Sequence, residues 1–114
     1  MDPFVRRLIR RLHEPGQPLS RNRHFHTFET PEGRRALRTS RRLRALQRQI
    51  LECQSEGGVL RVQRSEGGGD ELRIELRIHR ANGRCVSRLG EAELELLSEL
   101  PGVREALEAA EQDS

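Results

Sequence analysis

The stretch Glu71–Leu89, ELRIELRIHRANGRCVSRL, decides the fold because it encodes two strands and the turn between them. Apolar and polar residues alternate over residues 72–79, which is the period of a strand with one buried face. Asn82-Gly83 is a strong two-residue hairpin signal, and a second strand is expected over residues 84–89. The stretch therefore predicts an antiparallel hairpin with one apolar face that needs a cover.

A third strand is expected before the hairpin, over residues 59–64, with Gly67–Asp70 as the connecting turn. The cover is predicted to come from a helix on each side of the strands in sequence. The prediction is an α+β fold of order α-α-β-β-β-α. Basic N-terminal helices precede a three-stranded antiparallel meander, which packs against the second helix and an acidic C-terminal helix. We expect Pro101-Gly102 to kink that last helix or to divide it into two short helices.

The second helix, expected from Pro31 to about Cys53, has an apolar side and a guanidinium side. Thr30 is its predicted N-cap, and proline suits the first helical position. At 100° per residue its aliphatic side chains cluster on one side, at Ala36, Leu43, Leu46 and Ile50. The other side carries Arg34, Arg38, Arg41, Arg42 and Arg48. A guanidinium group can pair with phosphate through two parallel hydrogen bonds, so these arginines are candidate nucleic-acid contacts.

Charge is distributed unevenly along the chain, whose net charge is +3. Residues 1–50 hold thirteen arginines against four carboxylates, a formal +9, and residues 51–114 hold eight against fourteen, a formal −6. Such asymmetry indicates an anionic partner for the first half. Every one of the 21 basic residues is arginine, for which a GC-rich genome is the simplest explanation.

The predicted organisation places residues 1–29 in an N-terminal part and residues 30–114 in the core domain. Residues 2–13 form a basic amphipathic helix, typical either of a helix at a membrane surface or of one docked on the core. Docking is favoured because such a short helix binds lipid weakly.

A loop or arm is expected over residues 17–29. It interleaves Arg21 and Arg23 with two phenylalanines, Phe25 and Phe28. Rings that stack on bases beside guanidinium groups that pair with phosphates would suit a nucleic acid. The alternative is that the phenylalanines fill the core. We expect residues 15–29 to be mobile without a partner, since they hold few apolar groups.

No spacing in the sequence predicts catalysis, a metal site or a cofactor. His24 and His26 form an isolated HxH, with no CxxC, HxxxH or HExxH pattern to complete it. Nucleophile-elbow and phosphate-loop motifs are also absent from the sequence. Cys53 and Cys85 are expected to be free thiols in a reducing cytoplasm. There is no apolar run of the ~20 residues that span a bilayer, and no secretory signal is expected.

These patterns predict a small, non-catalytic, cytoplasmic nucleic-acid-binding protein, for DNA or RNA, that contacts phosphates through the arginine side of its second helix. The alternative is a protein–protein interaction or regulatory subunit, with a basic face for an acidic partner and an acidic C-terminal helix. A third explanation lets the two oppositely charged halves pair with each other, within one chain or in a homo-oligomer.

Overall fold

The computed structural model describes residues 1–14, 29–66 and 72–112. In these ranges the elements are α1 Pro3–His13, α2 Pro31–Ser55, β1 Val59–Glu66, β2 Leu72–Arg80, β3 Gly83–Leu89, α3 Glu91–Ser98 and α4 Val103–Gln112. The α+β class and the element order are confirmed, and the acidic C-terminal helix is divided in two at Pro101-Gly102, as expected. The predicted arm lies outside the described residues except for Glu29, and so does the turn Gly67–Asp70.

Two compact units make up the chain, residues 1–44 and residues 45–114. The helix α2 contributes its first part to one unit and its last part to the other. The predicted boundary between residues 29 and 30 stays a prediction.

In the first unit, α1 begins at an N-cap and buries one face. The carboxylate of Asp2 accepts a hydrogen bond of 2.8 Å from the backbone N–H of Phe4. Val5, Leu8 and Ile9 are buried, so the apolar face is docked in the fold as favoured above. Phe4, in the first turn of α1, is not buried with these residues and stays 45% exposed.

The helix α2 is bounded by a cap at each end. The hydroxyl of Thr30 accepts a hydrogen bond of 3.0 Å from the N–H of Gly33, as the sequence predicted. At the other end Gly57 adopts a left-handed φ of 73°. The N–H groups of Gly57 and Gly58 then bond back to the carbonyls of Gln54 and Cys53. This is the Schellman arrangement that turns the chain toward β1.

The second unit contains an antiparallel sheet of order β1-β2-β3. In its register Leu60 pairs with Ile78, which pairs with Cys85. Residues 74, 76 and 78 of β2 are buried, and the residues between them are half-buried. The sheet therefore has an inner face that carries the core and an outer face on the opposite side.

Helices cover the inner face. The helix α4 packs against β1, α3 packs against β2, and their apolar residues are buried at Leu96, Leu97, Leu100, Val103, Ala106, Leu107 and Ala110. The last turns of α2 also meet the sheet, since the thiol of Cys53 lies 3.7 Å from the carbonyl oxygen of His79. The aliphatic side of α2 is buried as predicted.

Candidate nucleic-acid interface

The arginine side of α2 in the first unit points to solvent. Arg34, Arg35, Arg38 and Arg41 are all exposed. None of the four has a side-chain hydrogen bond or ion pair to another described residue of residues 1–44. We call these four residues the α2 arginine face. Side chains three and four residues apart are neighbours on a helix, so the positive charges lie close together.

The other predicted site residues are distributed differently. Arg42 is exposed on α2, and its side chain also takes part in an interaction within the fold. Arg48 is exposed on the same helix but belongs to the second unit. Arg21 and Arg23 lie outside the described residues, as do His24 and His26.

Two polar contacts hold α1 against α2 within the first unit. The Nε2 atom of His13 lies 3.0 Å from the hydroxyl oxygen of Ser40. The guanidinium group of Arg44 donates a hydrogen bond of 3.0 Å to the backbone carbonyl of Leu12. The sequence analysis missed both contacts, because no local pattern relates residues about thirty positions apart. They place the basic α1 in the same unit as the α2 arginine face.

A serine beside a histidine can form a nucleophile, and the geometry at Ser40 bears on that chemistry. The side chain of Ser40 is only 4% exposed and it faces α1. A buried hydroxyl cannot reach a substrate. The contact between His13 and Ser40 therefore satisfies a buried polar group and joins two helices.

In the second unit, described arginines on the helix-facing side of the sheet do find carboxylates. Arg80 at the end of β2 forms ion pairs with Glu52 of α2 and with Glu56 just beyond that helix, each at 2.8 Å. Arg64 of β1 bonds to Glu111 of α4 at 2.6 Å. The hydrogen bond from Arg80 lowers the pKa of the Glu56 carboxyl and raises the pKa of Arg80 itself. These arginines stabilise the packing of helices on the sheet.

Both cysteines are free thiols. Burial raises the pKa of Cys53, and the positive charge of Arg80 opposes that shift. A buried thiol with a raised pKa is a poor nucleophile and a poor metal ligand. Within the described ranges no three histidine, cysteine or carboxylate side chains are placed to hold a metal ion.

Comparisons with family models, with curated proteins and with solved structures found no match for this chain. The described helices include none that is long and apolar enough to cross a membrane.

Proposed function

We propose that the protein is a small, non-catalytic nucleic-acid-binding protein that contacts the phosphate backbone through the α2 arginine face. One observation carries this proposal: four exposed arginines on adjacent turns have no ion partner among the described residues of their unit. Arginines placed to stabilise a fold are expected beside carboxylates, as Arg64 and Arg80 are. Unpaired guanidinium groups remain available to an external anion.

The charge of the first unit supports the same proposal. Residues 1–44 contain twelve arginines against four carboxylates, a formal charge of +8. A charge of this size on a small unit raises the local concentration of polyanions and speeds their association. Contacts with several phosphates would also release condensed counterions, which is the main source of affinity in non-specific binding.

A second candidate function is an interaction subunit that binds an acidic protein through the same face. The observation that favours it is the acidic surface of α3 and α4, where Glu91, Glu105 and Glu108 are exposed. These carboxylates could engage a basic partner while the arginines engage an acidic one. Poly-glutamate that displaces the protein from nucleic acid at equal charge concentration would favour this second function.

The test is an anisotropy titration of labelled duplex and single-stranded oligomers over a series of salt concentrations. The double variant Arg38→Gln/Arg41→Gln removes two guanidinium groups from the α2 arginine face. Each lost phosphate contact should flatten the slope of log affinity against log salt by about 0.7 to 0.9. We therefore expect the slope of the double variant to be smaller by about 1.4 to 1.8.

The chain offers a control of equal charge. The double variant Arg64→Gln/Arg104→Gln also removes two positive charges, and both of its residues are exposed and distant in sequence from the arginine face. Its slope should stay within about 0.5 of the wild-type slope. The proposed function fails if no oligomer binds the wild-type protein more tightly than about 10⁻⁴ M at low salt, the weak limit of non-specific association.

A further inference from the structure

The outer face of the sheet is a second cationic surface, which the sequence analysis did not identify as a site. The strand register brings together five arginines from all three strands on this face: Arg61, Arg73, Arg77, Arg84 and Arg88. Among the described residues the same face carries one carboxylate, Glu75. The formal charge of this face is thus +4, although residues 45–114 as a whole hold nine arginines against fourteen carboxylates. We call these five arginines and Glu75 the outer sheet face.

Each strand contributes an exposed arginine to this face. Arg61 on β1, Arg73 on β2 and Arg84 on β3 are exposed, and none of their side chains has a hydrogen bond or ion pair to another described residue. The apolar side chains at its edges are open too, with Val59 50% exposed and Val86 45% exposed. Neither α3 nor α4 covers these side chains, because both pack on the inner face.

The register sets the spacing of the charges. Arg61 lies directly opposite Arg77, and His79 lies directly opposite Arg84. Neighbouring strands are about 5 Å apart, and residues on one face of a strand repeat about every 6.6 Å. Arg73 and Arg77 therefore lie about 13 Å apart along β2. The arginines form a two-dimensional array rather than a single row.

Glu75 organises the middle of the array. Its carboxylate accepts a hydrogen bond of 3.3 Å from the guanidinium group of Arg77 and forms an ion pair of 3.4 Å with that of Arg88. One carboxylate cannot satisfy two guanidinium groups, which have five N–H donors each. The Nε atom of Arg77 is buried without a hydrogen-bond partner among the described residues. The ion pairs with Glu75 thus hold these two guanidinium groups in place in the middle of the array.

The side chains present on the outer sheet face indicate which class of anionic partner it can bind. Proteins that bind single strands stack successive bases on aromatic side chains, and the strands contain no phenylalanine, tyrosine or tryptophan, with His79 the one ring among the described residues of this face. A protein interface needs an apolar core, and here the two valines are separated by the arginines of β2. An array of guanidinium groups with neither feature suits the regular phosphates of a double helix, where bases stay stacked inside.

We propose that the outer sheet face binds the phosphate backbone of duplex nucleic acid. It takes the ligand class of the proposed function but shares no residue with the α2 arginine face, so each can fail without the other. Contacts to phosphate carry no sequence information, and binding through this face is independent of base sequence.

The experiment uses the full chain and a labelled duplex of arbitrary sequence, with one of its single strands as the second ligand. The double variant Arg73→Gln/Arg84→Gln, called the sheet variant, removes two guanidinium groups that make no hydrogen bond or ion pair with another described residue. The fold should therefore be unaffected. For the duplex we expect the log–log salt slope of the sheet variant to fall by about 1.8, at 0.9 per phosphate. For the single strand the sheet variant should change the slope by less than about 0.5.

The control is again Arg64→Gln/Arg104→Gln, which leaves the outer sheet face intact. If Arg73→Gln/Arg84→Gln changes the salt slope of duplex binding no more than this control does, the proposal is overturned. The proposed function still stands in that case if Arg38→Gln/Arg41→Gln weakens binding. An equal loss of slope on the single strand overturns the assignment to a duplex. Selective loss of poly-glutamate binding, with duplex binding unchanged, would assign the face to an acidic protein instead. Absence of wild-type binding to any oligomer overturns both proposals together.

Discussion

At the scale of single residues, Gly58 lies where the chain leaves α2 and passes close to the backbone of β2. A methyl group added there would collide with the carbonyl oxygen of His79 and lie 2.8 Å from the thiol sulfur of Cys53. Both obstacles are held in place, the first by the β-ladder and the second in the core. Only a residue without a Cβ lets the end of α2 meet β2 at this distance.

We therefore expect Gly58→Ala to lower the free energy of unfolding by about 1–3 kcal/mol, the usual cost of overpacking a site that cannot relax. Denaturant unfolding followed by circular dichroism measures it. Gly90→Ala is the matched control, since a methyl group at Gly90 meets nothing within 4 Å and its φ of −84° suits alanine. The control should stay within about 1 kcal/mol of wild type. Equal stability of the two variants would contradict the close approach.

At the scale of elements, the sheet is stable because helices cover its apolar inner face and its polar outer face is exposed to solvent. Ile74 of β2 is 1% exposed on the inner face, whereas Val86 of β3 is 45% exposed on the outer face. A three-stranded sheet with an uncovered apolar face is not stable by itself in water. The helices that cover it are amphipathic, so each element depends on the others for its stability.

Ile74→Ala should therefore cost about 2–5 kcal/mol, a large share of the stability of so small a domain. Val86→Ala removes a similar aliphatic side chain from the same sheet and should change stability by less than about 0.5 kcal/mol. Thermal and denaturant unfolding of both variants measure the difference. A melting curve of Ile74→Ala that matches wild type would show that the inner face is not the core.

At the scale of the whole molecule, stability and the proposed binding draw on different forces. The described core is aliphatic, and the ion pairs of the second unit lie at the surface, where such pairs contribute about 0–1 kcal/mol each. The proposed binding relies chiefly on guanidinium groups without such partners, those of the α2 arginine face and of Arg61, Arg73 and Arg84. Salt screens the attraction between exposed charges and leaves buried apolar contacts in place.

Raising the salt concentration should therefore separate the two properties. Between 50 and 200 mM salt, nucleic-acid affinity should fall by about 10³-fold or more if six or more phosphates are contacted. The free energy of unfolding should change by less than about 1 kcal/mol over the same range. Parallel anisotropy and unfolding measurements test both statements. A fold that loses several kcal/mol in this range would place the arginines among the groups that hold the structure together.

The sequence by itself determined the elements of this protein, because the signals for them are local. Alternation of apolar residues predicted β2, Asn82-Gly83 predicted the turn to β3, and Thr30 with Pro31 predicted the start of α2. Helical periodicity also predicted which side of α2 is buried. These features need only neighbours within a few positions, so they can be derived without knowledge of the fold.

Only the tertiary structure decided which charges find partners. Arg64 meets Glu111 across 47 positions, and His13 meets Ser40 across 27. The outer sheet face likewise exists only because the register aligns three strands, and no pattern within one strand shows that their arginines share a surface. Periodicity assigns a side chain to a face, but the packing of distant elements decides what lies opposite that face. That is the physical reason why the fold class could be predicted and the second cationic surface could not.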